Sequence, residues 1–207
     1  RRQRQMCIRD SSNSIYSLLV DDRGAVWVGH FQAGLDYSLY QNGLFRTYAY
    51  PPQFNSANLS IRSFVNRGPE KVIGSRDGLF YINEATGIVK SFVKPVLTSD
   101  LILTICFYEG EYYIGTYGGG MMVLNPQTLS LKYFTQGDTE LFQKGHIFCV
   151  KPDNRGNLWI GTSQGLFCYN GQTKQIKNFT STNSQLPEGN VYEVSSVSYT
   201  HLTLPTN

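Results

Sequence analysis

Four times along the chain an apolar run ends in glycine, passes through a few small or polar residues, and restarts at a second glycine. The strings are VWVGHFQAGLDY (Val26 to Tyr37), KVIGSRDGLFYI (Lys71 to Ile82), YYIGTYGGGMMVL (Tyr112 to Leu124) and LWIGTSQGLFCY (Leu158 to Tyr169). Around each string the pattern predicts four strands rich in Val, Ile, Tyr, Phe and Trp. First strands begin at Ile15, Ile61, Ile102 and Ile147, and a fifth begins at Val191. Second strands are predicted at 25–29, 71–74, 111–115 and 157–161, and third strands at 35–40, 79–82, 121–124 and 166–169. Fourth strands follow at 44–48, 89–92, 131–134 and 176–179. The turns between first and second strands, such as Asp153-Asn154-Arg155-Gly156, join residues that bond their own backbone to a glycine that supplies positive φ. No segment shows helical periodicity.

The first glycines of the four strings are Gly29, Gly74, Gly115 and Gly161, spaced by 45, 41 and 46 residues. A period of about 40–45 residues with four strands per unit predicts the blade of a β-propeller. The expected fold is all-β: a partial propeller of about four four-stranded antiparallel blades belonging to a larger ring. The blades are expected at about 14–57, 58–98, 99–143 and 144–187, with a fifth starting over 188–195. Second strands are apolar on consecutive residues, as in Leu158-Trp159-Ile160, which predicts burial on both faces. Trp27, Tyr113 and Trp159 should fill the wedges between blades. Gly29, Gly74, Gly115, Gly161 and Gly165 should admit an adjacent backbone.

The two ends change the reading of charge. Residues 1–11 and 196–207 read as translated adapter: Met6-Cys7-Ile8-Arg9-Asp10 back-translates to a transposon end, and Val197-Ser198-Tyr199-Thr200-His201 to its reverse complement. Both tails are expected to lie outside the fold. The chain has 18 Lys+Arg and 15 Asp+Glu; without Arg1, Arg2, Arg4 and Arg9, and without Asp10, 14 of each remain and the net charge is zero. No basic surface is left to point to nucleic acid. Cys106, Cys149 and Cys168 are spread over different strands and read as small buried hydrophobes, not a disulfide framework. The longest apolar stretch, Leu101 to Tyr108, falls well short of the about 20 residues a spanning helix needs.

The fourth unit carries His146-Ile147, Asp153, Gly156, Leu158-Trp159-Ile160-Gly161-Thr162 and Gly165-Leu166. This closely resembles the two-component regulator propeller repeat. The first unit resembles it with His30 in the place of Thr, the third resembles a variant with extra glycines, and the second is degenerate. The resemblance implies a seven-bladed ring. It also implies the periplasmic sensor region of a hybrid two-component regulator, followed in the parent protein by a membrane span, a histidine kinase and a DNA-binding output.

Candidate chemistry lies where the loops between strands two and three meet the entries to strand one, on one face of the ring. His30, Gln32, Arg76, Asp77, Tyr117, Gln164 and His146 stand in those segments. Amides, aromatics and an arginine suit a small-molecule ligand such as an oligosaccharide, whose apolar ring faces stack and whose hydroxyls need paired donors and acceptors. Catalysis has weaker support. His30 and His146 belong to different blades, and Asp21, Asp22 and Asp153 belong to turns on the opposite face. No helix follows Gly118-Gly119-Gly120, as a phosphate loop would require. The expectation is therefore a non-enzymatic sensing module without metal or cofactor. Its expected partners are a ligand, the remaining blades of its parent and a second copy in a homodimer. A propeller scaffold for protein contact is the alternative, and a propeller enzyme a third.

Overall fold

The computed structural model describes residues 14–21, 23–38, 45–48, 60–137 and 139–195; the two expected tails lie outside them. Among the described residues, sixteen strands form four antiparallel four-stranded sheets, each in simple meander order. The first sheet comprises β1 (Ile15–Val20), β2 (Val26–His30), β3 (Leu35–Ser38) and β4 (Phe45–Thr47). The second comprises β5 (Ile61–Arg67), β6 (Glu70–Ser75), β7 (Leu79–Asn83) and β8 (Ile88–Phe92). The third comprises β9 (Ile102–Tyr108), β10 (Glu111–Thr116), β11 (Met121–Asn125) and β12 (Ser130–Tyr133). The fourth comprises β13 (Ile147–Pro152), β14 (Asn157–Thr162), β15 (Gly165–Asn170) and β16 (Gln175–Phe179). The predicted all-β propeller architecture is thus observed.

Three apolar clusters fill the three wedges between successive sheets. Trp27 and Leu35 meet Ile61, Phe64, Ile73 and Phe80 in the first wedge. Val72, Leu79 and Tyr81 meet Ile102, Ile105 and Ile114 in the second. Tyr113, Met121 and Val123 meet Ile147, Val150 and Ile160 in the third. Within β6 and β7, Val72, Leu79 and Tyr81 face the third sheet while Ile73, Phe80 and Ile82 face the first. The runs of consecutive apolar residues are therefore strands buried on both faces. Each such side chain stabilises the fold by about 1.5–3 kcal/mol.

The repeated glycines mark where one sheet docks on the next. A Cβ at Gly74 would stand 2.5 Å from Ile102 Cγ2, and one at Gly115 2.7 Å from Ile147 Cγ2. One at Gly161 would stand 2.5 Å from the carbonyl oxygen of Val191. Val191 also donates its backbone N–H to the Thr162 carbonyl at 3.0 Å. Residues 191–195 form no ladder of their own, but Val191 seats on the fourth sheet as Ile102 and Ile147 seat on the second and third.

One element was absent from the hydrophobic pattern. Thr139–Lys144 form a short helix, α1, between the third and fourth sheets. It is too short to show a period, yet Leu141 and Phe142 are fully buried in the third wedge. The glycine run of the third unit makes room for it. Gly120 has φ +69°, its N–H reaches the Gly145 carbonyl at 2.9 Å, and an added Cβ would overlap the Phe142 backbone.

Candidate functional site

The first strand of every sheet is bulged at its second residue. Pairing steps from Ile15 to Ser17, from Ile61 to Ser63, from Ile102 to Thr104 and from Ile147 to Cys149. Tyr16, Arg62, Leu103 and Phe148 are left without a ladder partner. A bulge also reverses the facing of the residues on either side. In β9, Ile102 and Ile105 both pack back onto Gly74, while the Thr104 hydroxyl reaches forward to accept Val150 N–H at 3.2 Å. In β5, Ser63 Oγ reaches forward in the same way to accept Ile105 N–H at 2.8 Å. The bulged side chain belongs to neither wedge. All four line one cavity of about 940 Å³ bounded by the first strands of the four sheets.

The loops above this cavity are tied to the strand entries by one recurring backbone bond. Phe31 N–H donates to Ser14 O at 2.9 Å, Arg76 to Ser60 at 3.2 Å, Tyr117 to Leu101 at 3.0 Å and Ser163 to His146 at 3.2 Å. Inside three of the loops a buried hydroxyl organises the turn. Ser75 Oγ, Thr116 Oγ1 and Thr162 Oγ1 donate to the carbonyls of Gly78, Gly120 and Gly165 at 3.0, 2.9 and 2.9 Å. That explains the serine or threonine after the glycine in these units.

The residues singled out in the sequence occupy the rim above the cavity, and none lines it. His30 is corrected from a loop to the last residue of β2: it is only 8% exposed and its Nε2 lies 3.2 Å from Asp36 Oδ2. Gln32 (φ +56°) and Arg76 are exposed, and their backbones meet at Ser60, whose Oγ accepts Gln32 N–H at 3.3 Å. Asp77 and Gln164 are exposed turn residues whose N–H groups bond Ser75 Oγ and Thr162 Oγ1 at 2.9 and 3.0 Å. Tyr117 and His146 are brought together, their ring centroids 4.1 Å apart. His146 continues to Phe148 at 6.1 Å and Phe148 to Tyr192 at 4.7 Å, so an aromatic path descends from rim to cavity. Tyr16 and Phe31 approach edge to face at 5.4 Å. Tyr16, Arg62 and Phe148 escaped sequence reasoning. Their one signal was a shared second position in the first strand, with no common hydropathy.

The opposite end of the cavity is built from committed charges. Asp21 Oδ1 accepts the N–H groups of Arg23 and Ala25, and its Oδ2 accepts Trp27 Nε1 and Asn66 Nδ2, all at 2.9–3.0 Å. Asp153 repeats this with Arg155, Asn157 and Trp159 Nε1. Burial raises the Asp153 carboxyl pKa, but the hydrogen bonds from Asn157, Trp159 and Arg155 outweigh it and hold the group at about 2. Lys151 pairs with Glu193 at 3.4 Å. Burial pushes the Cys106 thiol up to about 12 and Cys149 to about 11, so both stay protonated at neutral pH. Among the described residues no three His, Cys, Asp or Glu side chains gather as a metal site would require. No helix among them is long and apolar enough to cross a membrane.

Comparison with known proteins follows the same lines. The family model described as the two-component regulator propeller matches residues 10–32 and 142–164, covering the first two strands of the first and fourth sheets. No curated protein sequence matches the chain. Among solved structures, the chain is similar to the extracellular domain assigned to a hybrid two-component system of B. thetaiotaomicron. Identity is 26%, TM-score 0.64, and the match covers 86% of this chain and 25% of that one. A second such extracellular domain from the same organism matches at 18% identity and TM-score 0.53, covering 82% of this chain and 28% of its own. PorZ of Porphyromonas gingivalis, a surface component of the type-IX secretion system, matches in fold at 15% identity and TM-score 0.66, over 86% of this chain and 29% of that one. The chain spans between a quarter and a third of the length of each of these structures. The two matched stretches, which carry the first two strands of the first and fourth sheets, are thus similar to two-component regulator propeller repeats.

Proposed function

We propose that this chain is part of the periplasmic sensing propeller of a hybrid two-component regulator, and that it binds a small saccharide at the mouth of its central cavity without catalysing a reaction. The observation that supports this reading is the set of bulged side chains, Tyr16, Arg62, Leu103 and Phe148, aimed into one cavity and continued upward by His146 and Tyr117. Aromatic faces beside unspent polar groups suit a sugar ring. A binding role is favoured over catalysis because the Asp21 and Asp153 carboxylates are consumed by turn and indole bonds. The extracytoplasmic placement rests on the similarity to extracellular domains of hybrid two-component systems.

The test is direct binding of the chain to a panel of neutral and acidic oligosaccharides by calorimetry, repeated with Phe148→Ala. Binding that the variant weakens at least about tenfold supports the reading. Undiminished binding by the variant, or no binding to any member of the panel, overturns it. A second reading, a scaffold that pairs with another protein or a second copy, draws on β1, where Leu18 and Val20 are 67% and 61% exposed. It predicts concentration-dependent association that a ligand does not change.

A further inference from the structure

Among the four bulged residues, three are apolar or aromatic and one, Arg62, is charged. Its guanidinium carbon lies 4.8 Å from the centroid of the Tyr16 ring. A cation–π contact of this kind positions the group without spending its N–H donors. The Arg62 Nε–H is buried and has no hydrogen-bond partner among the described residues. A buried donor left unpaired is costly, and native folds rarely carry one without a purpose. No described Asp or Glu is ion-paired with Arg62.

The other charges around the cavity are already spent. Arg67 pairs with Glu70 at 3.4 Å and stacks on Phe107. Lys151 and Glu193 pair with each other. Asp21 accepts four donors. The Arg62 guanidinium thus stands at the mouth with no counter-charge among the described residues. Across the rim, His146 Nδ1 is a second buried polar atom without a hydrogen-bond partner. It lies close to Phe148, within the aromatic path already described.

We infer that Arg62 is an anion anchor and that the ligand of the cavity mouth is an acidic saccharide bearing a carboxylate or a sulfate. Two oxygens of a carboxylate or of a sulfate accept Nε–H and one Nη–H of a guanidinium side by side, which satisfies the orphaned donor and neutralises the charge together. A ring hydroxyl, which both donates and accepts, suits His146 Nδ1. This inference rests on the saccharide reading above and narrows it to one chemical class.

The experiment follows the Arg62 Nε–H resonance of the ¹⁵N-labelled full chain, and calorimetric affinity beside it. Four probes are added separately: inorganic sulfate, galactobiose, a digalacturonate and a 6-sulfated galactobiose. The expected result is a shift of the Nε–H resonance by sulfate and by at least one acidic disaccharide. That disaccharide binds at least about tenfold more tightly than galactobiose, and Arg62→Gln removes the difference. Whether the uronate or the sulfate ester binds tells which anion is read. Equal affinity for acidic and neutral disaccharides, or a difference that survives Arg62→Gln, overturns the inference and leaves the saccharide reading standing. A resonance that sulfate moves but no sugar does overturns the saccharide class and the proposed function together. A resonance that no probe moves overturns the anchor itself. The wild-type resonance gives these answers even if the variant folds poorly.

Discussion

A single aspartate does the most local work at the turn between strands one and two. Asp153 joins the turn backbone to the Trp159 indole, as Asp21 does for Trp27. Its carboxyl has an ordinary value of 3.8 and sits at about 2 in the fold. Because the folded value is depressed, the stabilisation is complete above the ordinary value and is lost as pH falls toward the folded one. Wild-type melting temperature should therefore exceed that of Asp153→Asn at neutral pH, and the gap should close between about pH 4 and pH 2. A gap that is constant over that range would show that the charge is not what matters. The two tryptophans should differ as well. Trp27 is 7% exposed and packs on Phe64 at 5.0 Å, whereas Trp159 is half-buried and stacks on Phe179 at 5.8 Å within its own sheet. Denaturant unfolding of Trp27→Ala should show a loss of about 3–5 kcal/mol, and Trp159→Ala a smaller one.

At the scale of the element, the wedge contacts and the bulge divide cleanly into what the sequence displays and what it hides. Glycine before a polar loop, apolar doublets and Asp-x-x-Gly turns are local, so Gly74, Val72 and Asp153 could be placed by pattern alone. The bulge could not. Strict alternation puts residues two apart on the same face, yet Ile102 faces the second sheet and Thr104 the fourth. Nothing in the string Ile102-Leu103-Thr104 announces the extra residue. For that reason the rim residues were legible and the cavity lining beneath them was not. The helix α1 was hidden for a related reason, since only its fit against Gly120 defines it. Gly74→Ala should therefore cost about 1–3 kcal/mol by overpacking Ile102. Thr104→Val, nearly the same shape, should cost about 1–3 kcal/mol because Val150 N–H loses its acceptor. A neutral result for Thr104→Val would mean that the hydroxyl does not tie the third sheet to the fourth.

Across the whole molecule, each sheet is secured to its neighbour by one apolar wedge and a few polar ties. Tyr112 reaches back to Glu70 at 2.9 Å, and Tyr108 reaches forward to Gly156 at 2.7 Å. The stability of such an array is close to a sum of unit and neighbour terms. The exposed face of β1 has no such neighbour among the described residues, and Leu18 and Val20 stand in solvent. Light scattering of the chain should rise with concentration, and Leu18→Lys with Val20→Glu should suppress that rise. Monomeric behaviour of the unmodified chain at all concentrations would refute this.

The bulge has an evolutionary corollary. Residues that hold the sheets together are constrained on two sides at once, but the second residue of each first strand is excused from that task, and the four copies here are Tyr, Arg, Leu and Phe. Mutation can therefore vary the cavity wall at 16, 62, 103 and 148 with little penalty to folding. A library randomised at those four codons should yield mostly folded clones, each presenting a different cavity surface on the same frame.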